Sequence, residues 1–330
     1  MQDFRSFRIQ MNDDKSISAG FTELSVDDLT EGDVVIKVSH SSINYKDALA
    51  ATGKGRILRK YPLNGGIDLA GTVVQSTDSR HKEGDSVLVV GCGLSEVLDG
   101  GYSEYARIPG NCVVSMPSGL SEYEAMAFGT AGFTAAIAVI RMEDNGQIPS
   151  RGPIVVTGAT GGVGSIAISM FAKLGYEVIA FTGKKEHEEY LKKLGASDLI
   201  DRNSLEMGNR PLEKAVWGGA VDNVGGDTLA WLTRTVVPWG NIGSIGLAGG
   251  IKLDTTVMPF ILRGVSLLGI NSLEMPVEVR DKAWERMCSD LKPDNLDLIV
   301  RQVIEFDQLP NAFDQFMSGS IVGRVVVKIS

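Results

Sequence analysis

Cysteine and histidine are both scarce in this 330-residue chain, at three each. Cys92, Cys112 and Cys288 form an odd, widely spaced set, which excludes a disulfide framework and suits a reducing cytoplasm. His40, His81 and His187 share no ligand spacing with any cysteine, and the four clustered cysteines of a structural zinc lobe are missing. Long basic runs are absent and the net charge is −9, which disfavours general nucleic-acid binding. The start, Met1-Gln2-Asp3-Phe4-Arg5, lacks the apolar core of a signal peptide. No uninterrupted apolar run reaches the roughly eighteen residues of a membrane span, so no span is expected. Internal repeats and low-complexity linkers are absent too. What is present, 43% hydrophobic residues, suffices for a large core and for two domains.

The rest of the chain is organised around one stretch. Ile154-Val155-Val156 reads as a buried strand, and Gly158-Ala159-Thr160-Gly161-Gly162-Val163-Gly164 as a glycine-dense turn. An apolar-periodic segment, 166–174, stops at Gly175, and a second buried strand, Glu177-Val178-Ile179-Ala180-Phe181, follows. Strand, turn, helix and strand make a βαβ unit, whose turn offers bare N–H groups and a helix N-terminus to a pyrophosphate. The spacing differs from G-x-G-x-x-G because the middle glycine is displaced by one position, but the flanking elements supply the context that gives the motif meaning.

Before this unit the chain reads as mostly strands, with β-branched runs at 34–38, 71–74 and 87–90 behind turn residues. Ser121 and Glu124 have the spacing of a capping box opening a helix at 124–128, and Gly129-Thr130-Ala131-Gly132 starts a second helix of small residues. After the unit, strands are expected at 199–200, 220–224, 240–245 and 265–270, alternating with helices as in a parallel doubly wound sheet. The strand-like tail 324–329 is expected to return to the first part. The expected organisation is a nucleotide domain, 123–267, inserted between two pieces of a β-rich domain, 1–122 and 268–330.

Taken together, several motifs resemble the medium-chain dehydrogenase/reductase superfamily, and in particular its quinone-oxidoreductase branch. They are Asn44-Tyr45-Lys46-Asp47-Ala48-Leu49, Gly66-Ile67-Asp68-Leu69-Ala70-Gly71, the run 129–135 and the turn 157–164. The segment 258–265 is more similar still to the bacterial acrylyl-CoA reductase subgroup. Leu63-Asn64-Gly65 departs mildly from the pattern, which more often has an apolar residue before the glycine. The resemblance implies a Rossmann doubly wound parallel sheet inserted in a GroES-like β-rich domain, and a homodimer formed by edge pairing. It also places Asn44 and Ile67 where zinc-dependent relatives carry cysteine and histidine ligands, so no metal is expected. Without a Lewis acid to activate a hydroxyl, reduction of an activated double bond is the better reading.

For the cofactor the expectation is NADPH. An NAD-selective fold ends its second strand on Asp or Glu. Here Phe181-Thr182-Gly183-Lys184-Lys185 carries no acid before Glu186, and Lys184 with Arg202 suits a 2′-phosphate. Thr160, Gly161, Gly162 and Val163 of the turn, with Thr182 and Gly183, are the remaining phosphate and ribose candidates. The resemblance adds Tyr45, Thr130, Thr134, Val224, Leu247, Ile261, Ser272 and Arg324 as cofactor contacts. Catalysis is assigned to Tyr45, as proton donor, and to Asn44, whose carboxamide would donate to an enolate oxygen. Asp47 and Asp68 are expected to be structural. Lys54-Gly55-Arg56-Ile57-Leu58-Arg59-Lys60 is a basic patch in an acidic chain, read either as a solvated loop or as a contact for coenzyme A phosphates. Three functions stay open at this point: acrylyl-CoA (2-enoyl thioester) reductase, quinone or enone reductase, and a non-catalytic NADPH-binding sensor.

Overall fold

The computed structural model describes residues 3–330. β1 (Phe4–Met11) and β2 (Ile17–Leu24) form an antiparallel hairpin in unbroken register from Phe4↔Leu24 to Met11↔Ile17. β3 (Val34–Ile43) runs into α1 (Tyr45–Ala51) through a single residue, Asn44. β4 (Leu63–Asn64), β5 (Asp68–Ser76), β6 (Ser86–Val90), β7 (Tyr105–Ile108) and β8 (Val114–Ser115) follow. The three β-branched runs of the sequence lie inside β3, β5 and β6. Val34, Ile36, Val38, Leu69, Val73, Val87 and Val89 from these strands pack into one core.

One expectation fails in these elements. Cys92 and Cys112 are joined as a disulfide across 20 positions, with Cα atoms 5.8 Å apart. Scarcity argued against a framework of bridges, but folding brings this pair together from the loops after β6 and before β8. α2 (Glu122–Asp144) is long and apolar enough to cross a bilayer by length and composition. Its glycines and threonines break up the apolar run without lowering the mean hydropathy, 1.5, below that of a span. In the fold 94% of its most apolar window is buried within protein, as in a core helix. α2 starts at the expected capping box, with Ser121 N–H and Oγ each 3.0 Å from Glu124 Oε2. At Gly129 (φ 49°, ψ −158°) it is kinked into the two pieces read from the sequence.

β9 (Ile154–Thr157), α3 (Gly162–Lys173) and β10 (Val178–Thr182) are the βαβ unit. They are followed by α4 (Glu188–Lys193), β11 (Asp198–Asp201), β12 (Trp217–Asp222), α5 (Gly226–Thr235), β13 (Val236–Ser244), α6 (Met258–Arg263) and β14 (Ser266–Gly269). The sheet order is β11-β10-β9-β12-β13-β14 and every pairing is parallel. This is the doubly wound order, and its topological switch point lies between β9 and β12. Val155, Phe181, Trp231, Leu232 and Ile242 fill part of its core, Phe181 stacking on Trp231 at 5.4 Å.

α7 (Val277–Met287) packs on α2: Trp284 stacks on Phe133 at 5.4 Å, and Arg286 pairs with Glu143. After α8 (Leu296–Ile299), the chain goes back through β15 (Val300–Glu305), α9 (Leu309–Met317) and β16 (Arg324–Lys328). β16 lies between β15 and β3 in a sheet ordered β15-β16-β3-β5-β6-β8, with β7 also on β3. Residues 1–130 with 300–330 form one compact unit, and 131–299 the other. The unit 131–299 is thus inserted between the two pieces of the other, and Trp284 and Arg286 hold their segment to α2 within it.

Candidate active site

The glycine turn is shaped by close approach. Gly158 takes φ +58°, and Gly161 N–H bonds back to the Gly158 carbonyl at 2.9 Å. A Cβ on Gly164 would stand 2.3 Å from that same carbonyl oxygen, so the first turn of α3 can lie against the end of β9 only without a side chain there. Gly161 is the N-cap of α3, and the N–H groups of Gly162, Val163 and Gly164 point out of the helix without helical acceptors. Thr160 is buried beside them. Behind the turn Asp222, at the end of β12, accepts from Thr157 Oγ1 at 2.7 Å and Gly225 N–H at 2.8 Å. Burial pushes its carboxyl pKa up against these bonds. Asn223 Nδ2 donates to the Thr157 carbonyl at 2.7 Å, and its Oδ1 is buried without a partner among the described residues. Sequence reasoning missed Asp222 and Asn223, although a polar pair closing an apolar strand at the switch point was the available signal. A side-chain-free cradle, open helix donors and an orphaned acceptor fit a dinucleotide.

β10 ends at buried Thr182, whose Oγ1 accepts from Lys184 N–H at 3.1 Å. Burial lowers the Lys184 ammonium pKa, and Glu186 opposes the shift. Arg202 folds over this corner: a Cβ on Gly183 would be 3.1 Å from Arg202 Nη2. The Arg202 guanidinium has no acid partner among the described residues. The fold thus places Arg202 beside the Thr182-Gly183-Lys184 turn. Elsewhere in the same unit, Thr134 donates to Ser272 Oγ at 2.8 Å. Val224 is buried, while Leu247 and Ile261 stand exposed.

The β-rich unit holds a closed polar network. Asp68 Oδ2 accepts from Ser42 Oγ at 2.5 Å and Asn44 Nδ2 at 2.7 Å, and Oδ1 from Thr130 Oγ1 at 2.5 Å. Arg324, 2% exposed, donates Nε–H to the Ala127 carbonyl. Its Nη1 reaches the Ile43 carbonyl and Asn44 Oδ1, and its Nη2 reaches Ser42 Oγ and the Met126 carbonyl. All five guanidinium hydrogens are therefore taken. Asp47 accepts from the N–H groups of Asn44 at 2.8 Å and Ile67 at 3.0 Å. Its burial, and then the charge of Asp68, push the Asp47 pKa up to about 7. Tyr102, donating to the Ser42 carbonyl at 3.1 Å, is pushed well above the ordinary tyrosine value, first by burial and then by Asp47 and Asp68.

This network corrects three assignments. Asn44 uses its carboxamide inward at both ends, Oδ1 on Arg324 and Nδ2 on Asp68 and Asp47, so it has no donor left for an enolate oxygen. Arg324 has no guanidinium hydrogen left for a cofactor contact, because the group is buried and fully bonded. The Thr130 hydroxyl is likewise committed to Asp68. Asp47 and Asp68 are structural acids, as expected. Tyr45, the first residue of α1, stands apart from the network, 53% exposed, with no hydrogen bond among the described residues.

Residues 30–118 match the family described as "Alcohol dehydrogenase GroES-like domain", and 162–289 the one described as "Zinc-binding dehydrogenase". YhfP of Bacillus subtilis, a quinone oxidoreductase by name, is 49% identical over 99% of both chains. The acrylyl-CoA reductase AcuI of Ruegeria pomeroyi is 45% identical over 94% of both. The chain belongs to the medium-chain dehydrogenase/reductase superfamily, in its quinone oxidoreductase and AcuI subgroup. Among solved members, Escherichia coli YhdH with bound NADPH superimposes with a TM-score of 0.95 at 45% identity, covering 98% of this chain and 100% of that one. B. subtilis YhfP with bound NAD gives 0.96 at 48% identity, covering 100% of both. For a member of a superfamily that includes zinc enzymes, the ligand supply here is thin. Among the described residues no three His, Cys, Asp or Glu side chains come together as a metal site, and Arg324 already sets a positive charge 3.0 Å from Asn44 Oδ1.

Proposed function

We propose that this chain is a zinc-independent, NADPH-dependent reductase of activated C=C bonds, with acrylyl-CoA or a similar 2-enoyl thioester as substrate. The observation that carries the cofactor choice is the corner at the end of β10. Arg202 lies there over Gly183, next in sequence to Lys184, and β10 ends on Thr182 rather than on the acid that would hold a ribose 2′-hydroxyl. Bound NADPH supplies a hydride for the β-carbon of the substrate. The protein's part is to hold the pyrophosphate on the N–H groups of Gly162 and Val163, fix the 2′-phosphate with Arg202 and Lys184, and deliver a proton to the α-carbon. Tyr45 is the candidate for that last step, because it is exposed at the start of α1 and its phenolic O–H is a donor with no hydrogen-bond partner among the described residues. Asn44 and Arg324 act indirectly by fixing the start of α1. Val224, Leu247, Ile261, Thr134 and Ser272 are proposed to line the nicotinamide side.

A quinone or enone reductase is the second reading, supported by YhfP, and it uses the same hydride step. We also propose a homodimer paired through β14, an edge strand of its sheet, working in the cytoplasm; a monomeric mass in sedimentation would remove the dimer. The deciding measurement is steady-state NADPH oxidation with acrylyl-CoA beside a small benzoquinone, repeated with NADH. The expected result is a far higher kcat/KM for acrylyl-CoA, a saturated product and poor turnover of NADH. Turnover of quinone alone would select the second reading. Tight NADPH binding without turnover of either would leave the non-catalytic sensor.

A further inference from the structure

The basic segment after α1 does not lie uniformly in solvent. Arg56, Ile57, Leu58 and Arg59 wall a recess of about 450 Å³ together with Lys46 and Glu96. Leu58 is 2% exposed and gives the recess an apolar floor. The Arg59 N–H bonds to the Glu96 carbonyl at 2.8 Å, fixing one wall to the other. The Glu96 carboxylate, 7% exposed, pairs with Lys46 and lies 3.6 Å from Arg59. Arg56 has no acid partner among the described residues. Three cations thus face one carboxylate, leaving an excess of two positive charges in a chain whose net charge is −9. Lys54 and Lys60, part of the same run, do not line the recess.

An unbalanced pair of cations over an apolar floor suits a phosphate carried on a nucleoside: the base covers the floor and the arginines hold the phosphate oxygens. Lys46 follows Tyr45 directly in α1, so one helix start carries both the proposed proton donor and a wall of the recess. We propose that this recess is the subsite for the phosphorylated nucleotide end of the thioester carrier, with Arg56 and Arg59 as ligands and Glu96 limiting affinity so that product can leave. This rests on the thioester reading above. A quinone has no group for the site.

Acrylyl-CoA and acrylyl-pantetheine, which has the same reacting end and no phosphate, separate the two ideas. The Arg56→Ala/Arg59→Ala double variant should raise KM for acrylyl-CoA roughly tenfold at low salt, less at high salt, and leave acrylyl-pantetheine unaffected. Adenosine 3′,5′-bisphosphate should compete with acrylyl-CoA in the wild type. Glu96→Gln should tighten binding of that bisphosphate several-fold, a change of opposite sign that a merely structural role for Glu96 would not produce. Equal losses on both thioesters, or no loss, would overturn the subsite. Should the wild type reduce only quinones, the thioester reading fails by itself. Calorimetry with adenosine 3′,5′-bisphosphate then decides the recess: binding that the double variant loses keeps it, and no binding removes it.

Discussion

Arg324 and Asp68 come from opposite ends of the chain, and their partnership decides what the start of α1 can do. Removing the cation leaves a buried carboxylate without a counter-charge. Arg324→Met should therefore cost about 3–5 kcal/mol, with much of the loss recovered in Arg324→Met/Asp68→Asn; urea unfolding of the single and double variants measures both. Asp47 gives a second test. Its folded pKa is raised to about 7, so between about pH 4 and 7 the folded state keeps a proton that the unfolded chain has lost. The Asp47 contribution to stability is thus greatest at acid pH, falls as pH rises through that window, and is flat above it. Asp47→Asn should remove this slope, and a wild-type-minus-variant difference constant from pH 5 to 8 would refute it. Sequence alone marked Asp47 and Asp68 as structural but misjudged Asn44. A carboxamide beside a family motif reads as a donor until its partner 280 positions away is seen.

The glycine turn and its flanking strands were legible because the apolar runs are continuous and the breaks between them carry glycine. β1, β2 and β15 were not, since β2 buries no residue fully, β1 and β15 alternate only in part, and the three are rich in polar positions. The corner at the end of β10 was read from an absence, the missing acid, and the structure adds the position of Arg202 over Gly183. Lys184→Ala/Arg202→Ala should lower kcat/KM for NADPH by about tenfold or more, as expected for lost charge-assisted bonds, and change it little for NADH. A parallel loss with both cofactors, in the same assay, would mean that the corner does not hold a 2′-phosphate.

At the scale of the whole molecule, the order of elements suggests one unit inserted into another, while α7, polar on average, gives no sequence sign of the contacts by which Trp284 and Arg286 join α2. The return of the chain is essential to the β-rich unit, where β16 fills the place between β15 and β3. A chain ending at Gly323 should expose residues 1–130 to trypsin under conditions where the full chain resists; equal resistance would show that β16 is dispensable. The same feature imposes an order on biosynthesis. A ribosome releases residues 1–130 well before it has made Arg324, and translation of 131–299 lies between the two events. Until then Asp68 has no arginine and the 40–43 end of β3 lacks its β16 partner, so the first-made part of the chain must wait, unfinished, while the later-made nucleotide unit can fold as soon as it emerges.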